Sequence, residues 1–553
     1  MPISFGGNKR SSVFRGFDLS KRALASRTTY AKVVYYHYKK QNFGLPTNLR
    51  DDLKSFTDVE VGVIDNDILK LSVSKSVQSP SGTFEIALSP SKNWKSVLAP
   101  GDWVMIYLYN NFQPEGIPTT TKNCVLVGSI DRISRSLQRE DEDSDKVELS
   151  FRVSGRNFGK VFEDNDVWFD PYVNAGEERG LDVLLRDKGL ELVGTPTQLT
   201  KNLIDIFLGK GGFDATKAKT SDLKPWRIPS PLAAKLGSSA TGDVSFYDVL
   251  SQEVSNSVGY KQQELLTLES NGSLWDMIRR NSNNLINEVY VEEVRQADGT
   301  MKPTFVLKPR PIQTPFLYDL QEKSKVSGDS VLFALKDNWQ TLQDLSVSNY
   351  VEISPAEIKY EDLGKDDHSR MNMFWFRAPQ NFGANISHMA NLGDTKDISN
   401  PVFIRESIQR HGLKKMDQLI EFCYAQGIGP SGSVEIDLWK AFMIQLYDMH
   451  FANHLYDAGT ISCTGVLEAE IGKALVVKAS NPKSKDKVYY IEGYQHDWNF
   501  QEGWTTMFTL THGQWKSSGV SDKKIFIDAS AEDMGYPDSL LQTTYVAQTG
   551  VKR

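Results

Sequence analysis

Residues 147–154 read Val-Glu-Leu-Ser-Phe-Arg-Val-Ser. Apolar and polar side chains alternate without a fault. Val147, Leu149, Phe151 and Val153 therefore share one face of an extended strand, and Glu148, Ser150 and Arg152 the other. Upstream, Trp103-Val104-Met105-Ile106-Tyr107-Leu108-Tyr109 is apolar at every position, the pattern of a strand buried on both sides. Further strands are expected over Ile68–Ser74, Phe84–Leu88 (after the Ser-Pro-Ser-Gly turn at 79–82) and Val125–Ile133. The acidic run Glu140–Asp145 reads as a solvated hairpin tip between two of them. Residues 56–165 thus form a first β-domain, a barrel or sandwich whose doubly apolar strand also packs against neighbours.

The pattern changes outward from this block. Residues 166–335 are mixed, with short helical patterns at 181–187 and 199–209 and a Gly/Ser/Lys/Pro-rich stretch, 209–245, expected to be a loop or insertion. A better helix starts at Ser273, where Asp276 stands three residues on as a near capping box. Two strands follow, Asn287–Glu292 and Thr304–Lys308. The Asp298-Gly299 pair between them is a hairpin signal. Strands return over 345–354 and 371–379, then at Gly459–Leu467, Ala474–Val477, Val488–Gly493 and Trp504–Thr511. Residues 400–456 read as helical, most clearly from Glu435 to Leu455, with Leu438, Phe442, Leu446 and Met449 on one stripe. The second β-domain is therefore 336–515, interrupted by helices, and 516–553 is a weakly patterned tail. The fold class is α+β, mainly β.

The chain has 553 residues and a formal charge of −7, with 40% hydrophobic and 24% charged residues. Charge is unevenly placed: residues 1–50 hold ten basic side chains and one acid, Asp18. Residues 1–55 read as a basic arm suited to an acidic partner surface, with a strand embedded at Thr29–Tyr38. Removal of residues 1–50 is expected to weaken docking to other proteins and leave the β-domains folded. Cys124, Cys423 and Cys463 are too few and too scattered for a disulfide scaffold. No apolar run has the length of a membrane span, and the first residues lack the core of a secretory signal. Assembly in a reducing cytoplasm is the expectation. A net acidic chain argues against wholesale nucleic-acid binding.

Catalytic signatures are missing. His450 and His454 stand at i,i+4, but Phe451 occupies the place where a zinc peptidase needs its glutamate. His496 and His512 fall near the last strands and need no special role. Acid pairs such as Asp164/Asp166 arise by chance in a chain with 70 acids, and glycosidase chemistry needs two carboxylates set across a cleft. No catalytic, metal or cofactor-binding residue is assigned, and no cofactor is expected.

The C-terminal block carries a resemblance. Ala458-Gly459-Thr460-Ile461-Ser462-Cys463-Thr464-Gly465 leads to Val488-Tyr489-Tyr490-Ile491-Glu492-Gly493-Tyr494-Gln495-His496-Asp497-Trp498, then to Gly503-Trp504-Thr505-Thr506-Met507-Phe508-Thr509-Leu510-Thr511-His512-Gly513. These residues resemble the closing strands of phage baseplate hub proteins of contractile tails. Ser273-Leu274-Trp275, Asn287–Val291 and Lys302–Pro311 look like that family's middle domain. Gly128–Ile133 with Val153-Ser154-Gly155-Arg156-Asn157-Phe158-Gly159-Lys160 is similar to the end of its first barrel. The resemblance covers about 60% of the chain and leaves the arm, the 209–245 insertion and the tail unexplained. It singles out Gly155, Trp275, Gly459, Tyr490, Gly493, Trp498, Trp504, Thr506 and Gly513 as structural motif positions. It implies two tail-tube-like β-barrels per chain. It also implies a homotrimer acting as a pseudo-hexameric symmetry adaptor between a hexameric tail tube and a trimeric spike. Baseplate wedge and tape-measure proteins would be neighbours, DNA would be passing cargo, and the virion tail baseplate the location. A tail-associated cell-wall hydrolase is an alternative. So is a surface carbohydrate-binding protein stacking sugars on Trp498 and Trp504.

Overall fold

The computed structural model describes residues 29–38, 59–110, 114–139, 147–167, 195–209, 226–240, 242, 244–254, 272–296, 299–311, 341–377, 402–403, 405–419, 450, 453–480 and 484–516. The fold is mainly β, with two β-blocks and an α+β middle region. The acidic run 140–145, the helical pattern at 181–187, most of the 435–455 helix, Cys423 and the tail after 516 lie outside the described residues, as does most of the basic arm.

The first block contains β1 (Thr29–Tyr38), β2 (Val59–Ile64), β3 (Ile68–Ser76), β4 (Thr83–Leu88), β5 (Trp103–Asn110), β6 (Cys124–Arg139) and β7 (Val147–Asn157). They pair in the order β3-β4-β7-β6-β5-β1-β2. β1 runs between β5 and β2, with Val34 opposite both Met105 and Val63. The segment read as the centre of an arm is thus an interior strand of the block. Alternation assigns its side chains: Ala31, Val33 and Tyr35 join one core, Val34 and Tyr36 another. β5 divides in the same way, with Val104, Ile106 and Leu108 on one side and Trp103, Met105, Tyr107 and Tyr109 on the other.

The middle region supplies what covers that second side. α1 (Lys160–Glu163), β8 (Asp166–Val167), α2 (Pro196–Ile204), β9 (Arg227–Ile228), α3 (Ser230–Lys235), β10 (Val244–Ser245), α4 (Phe246–Val249), β11 (Ser251–Val254), β12 (Gly272–Ser273), α5 (Leu274–Asn281), β13 (Asn287–Arg295) and β14 (Met301–Pro309) follow in turn. The Ser273/Asp276 box caps α5 reciprocally, and β13 and β14 form the expected hairpin. Phe158, Phe162, Leu203, Phe246, Ile278 and Phe305 pack on the outer side of β5. The doubly apolar strand is therefore satisfied inside this chain and needs no neighbouring one. The second half of the expected 209–245 loop is also part of the core: Ile228, Leu232, Ala233, Leu236 and Val244 are buried.

The second block adds β15 (Tyr350–Ile353), β16 (Ile358–Gly364), β20 (Asp457–Thr464), β21 (Ala474–Val477), β22 (Lys487–Asn499) and β23 (Gly503–Trp515). The strand expected over 345–354 begins only at Tyr350. The turn before it is helix α6 (Leu342–Ser348), because Thr341 and Asp344 form a capping box. The strand at 371–379 is β17 (Met373–Arg377), which leaves the main sheet to pair with β18 (Val402–Phe403) and β19 (Lys415–Leu419). The described part of 400–456 is accordingly mixed. It holds α7 (Arg405–His411) beside those two strands, and a single 3-10 turn at Asn453–Leu455. Polar Lys415, Asp417 and Gln418 hide β19 from an alternation test.

Candidate functional site

The two blocks are not separate sheets. β22 pairs through Lys487–Tyr490 with β21, then passes that edge to β3, with Gly493 opposite Ser76 and Asn499 opposite Lys70. One 13-stranded sheet runs from β16 through β22 and β3 to β2. Trp498, opposite Leu71, and Trp504, opposite Trp498, enter the core of the first block although they belong to strands of the second. Burial of two such rings makes the seam a hydrophobic contact as well as a hydrogen-bonded one.

Polar chemistry behind the seam centres on His496 and Lys75. Trp504 Nε1–H donates to His496 Nδ1 at 3.3 Å, and Thr506 Oγ1 lies 2.9 Å from the same nitrogen. Nδ1 is thus the acceptor, which places the ring proton on Nε2. Burial holds this imidazole neutral, with its pKa down at about 3. Thr506 Oγ1 also accepts from the Val466 N–H at 2.9 Å. Beneath the seam, Lys75 of β3 meets two carboxylates of β13. Its Nζ is 2.5 Å from Glu292 Oε1 and also contacts Glu293 Oε2. β13 is an edge strand of its three-stranded sheet, and its adjacent Glu292 and Glu293 both reach the same ammonium.

The middle region is pinned to both blocks. Arg295 Nη2 donates to Cys124 O (2.9 Å) in the first block and Leu467 O (3.0 Å) in the second. Lys308 Nζ donates to Gly472 O (2.8 Å) and pairs with Glu288 (3.2 Å), and the Tyr490 hydroxyl donates to Glu288 Oε2. Lys235 donates to Pro118 O and Thr119 O at 2.9 and 2.7 Å. These contacts hold the two blocks at a fixed relation.

The motif positions divide into two groups. Gly493, Trp498, Trp504 and Thr506 converge on the seam. Tyr490 sits beside it on Glu288, and Gly513 pairs with Asp457 at the far end of β23. Gly459 has φ +144, and a Cβ there would run into Asp362 O of β16, so the residue lets β16 and β20 close. Gly155, opposite Phe84 in β7, and Trp275, in the core under α5, lie away from the seam. Other candidates have ordinary settings. Asp164 is bound by Arg156, which also holds Asp131 and Glu163. His450 Nδ1 accepts from Asn453 Nδ2–H at 3.1 Å. Cys124 and Cys463 are buried free thiols, and burial pushes Cys124 up to about 12.

No protein-family model matches the sequence, and no curated protein matches it. Solved structures do. A tail protein from Neisseria meningitidis aligns over 92% of this chain and 99% of its own, at 10% identity and a TM-score of 0.40. The 43 kDa tail protein of prophage MuSo2 from Shewanella oneidensis aligns over 82% and 95%, at 11% identity and 0.38. A Francisella PdpA-VgrG complex aligns over 92% of this chain and 57% of that one, at 12% identity and 0.37.

Lys75, Glu292, Glu293 and Arg295 were not among the sequence candidates. The Glu292-Glu293 doublet between Val291 and Val294, in the strand Asn287–Arg295, was the available signal. Adjacent acids in a strand ordinarily put at least one into solvent. Here both are 3% exposed.

Proposed function

We propose that the chain is a structural baseplate hub subunit of a contractile phage tail or related injection machine, acting as a homotrimer. One observation carries this reading. Two β-blocks are joined edge to edge through β3 and β22, while β2 and β16, the outermost strands of the sheet, have no further partner among the described residues. A chain that already extends its own sheet sideways can extend it into the next copy, β16 to β2, and three copies would close a ring of six blocks. Such a ring matches a hexameric tail tube on one side and a trimeric spike on the other. Wedge and tape-measure proteins would then be neighbours, and DNA would pass through without being held. The net acidic charge suits that passage, because phosphates bind basic linings. The hub would do no chemistry of its own. The carbohydrate-binding alternative loses its footing, since Trp498 and Trp504 are 5% and 2% exposed.

Light scattering of the full chain, alone and mixed with its spike protein, tests the reading. A species of three times 62.2 kDa that appears as a ring in electron micrographs is the expected result. A chain that stays monomeric in both conditions overturns it.

A further inference from the structure

The Lys75–Glu292–Glu293 cluster is short of one positive charge. All three side chains are buried, at 2%, 3% and 0% exposure. Among the described residues, Glu292 Oε2 and Glu293 Oε1 find no hydrogen-bond partner. Among the described residues no second cation is paired with either carboxylate. Arg295 of β13 is spent on two carbonyls. Glu470, from the loop before β21, is paired with Lys473 at 2.6 Å. Glu288 is taken by Lys308. Tyr494 and His496 of β22 and Asn157 of β7 face the cluster as neutral groups, with the Tyr494 ring 6.0 Å from Lys75 Nζ. Two buried carboxylates around one ammonium would leave an uncompensated charge in a low-dielectric site, and that cost is lifted by a proton.

We propose that Glu292 and Glu293 share one proton in the closed fold, and that its loss loosens the docking of the β13–β14 hairpin on the β3–β22 seam. The cluster is then a proton-sensitive latch between the middle region and both β-blocks. The latch stands apart from the hub reading and does not depend on it. Burial, with the neighbouring carboxylates, raises Glu292 to about 7, and burial raises Glu293 as well. A carboxyl whose pKa is higher in the closed than the open state favours closure most at low pH. That advantage falls as pH rises toward 7 and is gone above it.

Hydrogen–deuterium exchange of the full chain, corrected for intrinsic rates, reads the undocking of β13 and β14 between pH 5.5 and 8, a local opening that leaves His496 packed on Trp504 and Thr506. Opening should increase on the order of tenfold across that range. Glu293→Gln leaves one lysine with one carboxylate, and its opening should be flat with pH. Infrared difference spectra give an independent readout: the wild-type chain should show one protonated carboxyl that titrates near neutrality, absent from Glu293→Gln. Wild-type exchange that does not change with pH overturns the proposal. So does an unaltered pH dependence in Glu293→Gln, or an infrared titration with no buried acid. If Glu293→Gln fails to fold, Glu292→Gln replaces it with the same expectations.

Discussion

Trp498 shows how a single side chain joins the two halves of the molecule. It belongs to β22 but packs among Leu71, Ile86 and other residues of the first block's core. Its indole Nε1 makes no hydrogen bond, so its contribution is volume. Trp498→Ala should cost about 3–5 kcal/mol, and Trp498→Phe clearly less, as read from denaturant midpoints. Lys75 contributes through charge instead. Lys75→Met would strand two buried carboxylates and should cost about 3–5 kcal/mol at pH 8, with recovery as the pH is lowered and the carboxylates protonate. Buried histidines act in the opposite sense. Burial, with Arg310 nearby, lowers His450 and His512 to about 4, and burial lowers His496 to about 3. Each folded-state value lies below the free value of 6.5, so the stability they contribute is complete above pH 6.5 and is lost as pH falls toward 4. Chemical denaturation at pH 7, 5.5 and 4.5 should show a net decline, because three imidazoles outweigh the Glu292 gain.

At the scale of the element, β1 changes the meaning of the N-terminal segment. The strand lies between β5 and β2 and buries Val33, Val34 and Tyr36 at 1%, 0% and 2% exposure. Deleting residues 1–50 removes it and leaves β5 with an unpaired edge and both cores with a gap. That truncation should abolish cooperative unfolding, contrary to the expectation drawn from charge alone. Deleting residues 1–28 spares β1 and should keep the far-ultraviolet circular dichroism and the melting transition. β5 and α6 teach related lessons. An all-apolar strand asks for cover on both faces, but its sequence does not say whether the cover comes from the same chain. At 345–354, alternation competed with a capping box, and the box won over the first four residues because it satisfies helix N–H groups that a strand would have to pair elsewhere.

For the whole molecule the question is what lies beyond the two outer strands. β2 is half-buried through Val59, Val61, Gly62 and Val63, and Tyr360 of β16 is 59% exposed. If copies join through these edges, Val61→Lys and Tyr360→Lys should each shift the trimer toward monomer by at least tenfold in concentration; Tyr360→Lys should leave the monomer's melting temperature unaltered, whereas Val61→Lys should lower it because Val61 also packs on the core. Sedimentation at several concentrations measures this. Trimers that survive both substitutions would place the interface elsewhere on the surface.

Strand periodicity, the Ser273 cap and the Asp298-Gly299 turn are local signals, so the sequence by itself determined a mainly β chain with two β-blocks, an α+β middle and a capped helix. The motif pair at 488–498 and 503–513 also lay in the open, as two strands carried by the resemblance. Other facts depended on residues far apart in the chain. That β22 leaves β21 for β3, that the middle region covers β5, and that Lys75 meets Glu292 and Glu293 across more than 200 positions are properties of the assembled chain. Hydrogen bonding at a strand edge is nearly blind to sequence, and a charge is buried only once its surroundings have closed around it. Those two physical facts left the seam and its latch to the tertiary structure.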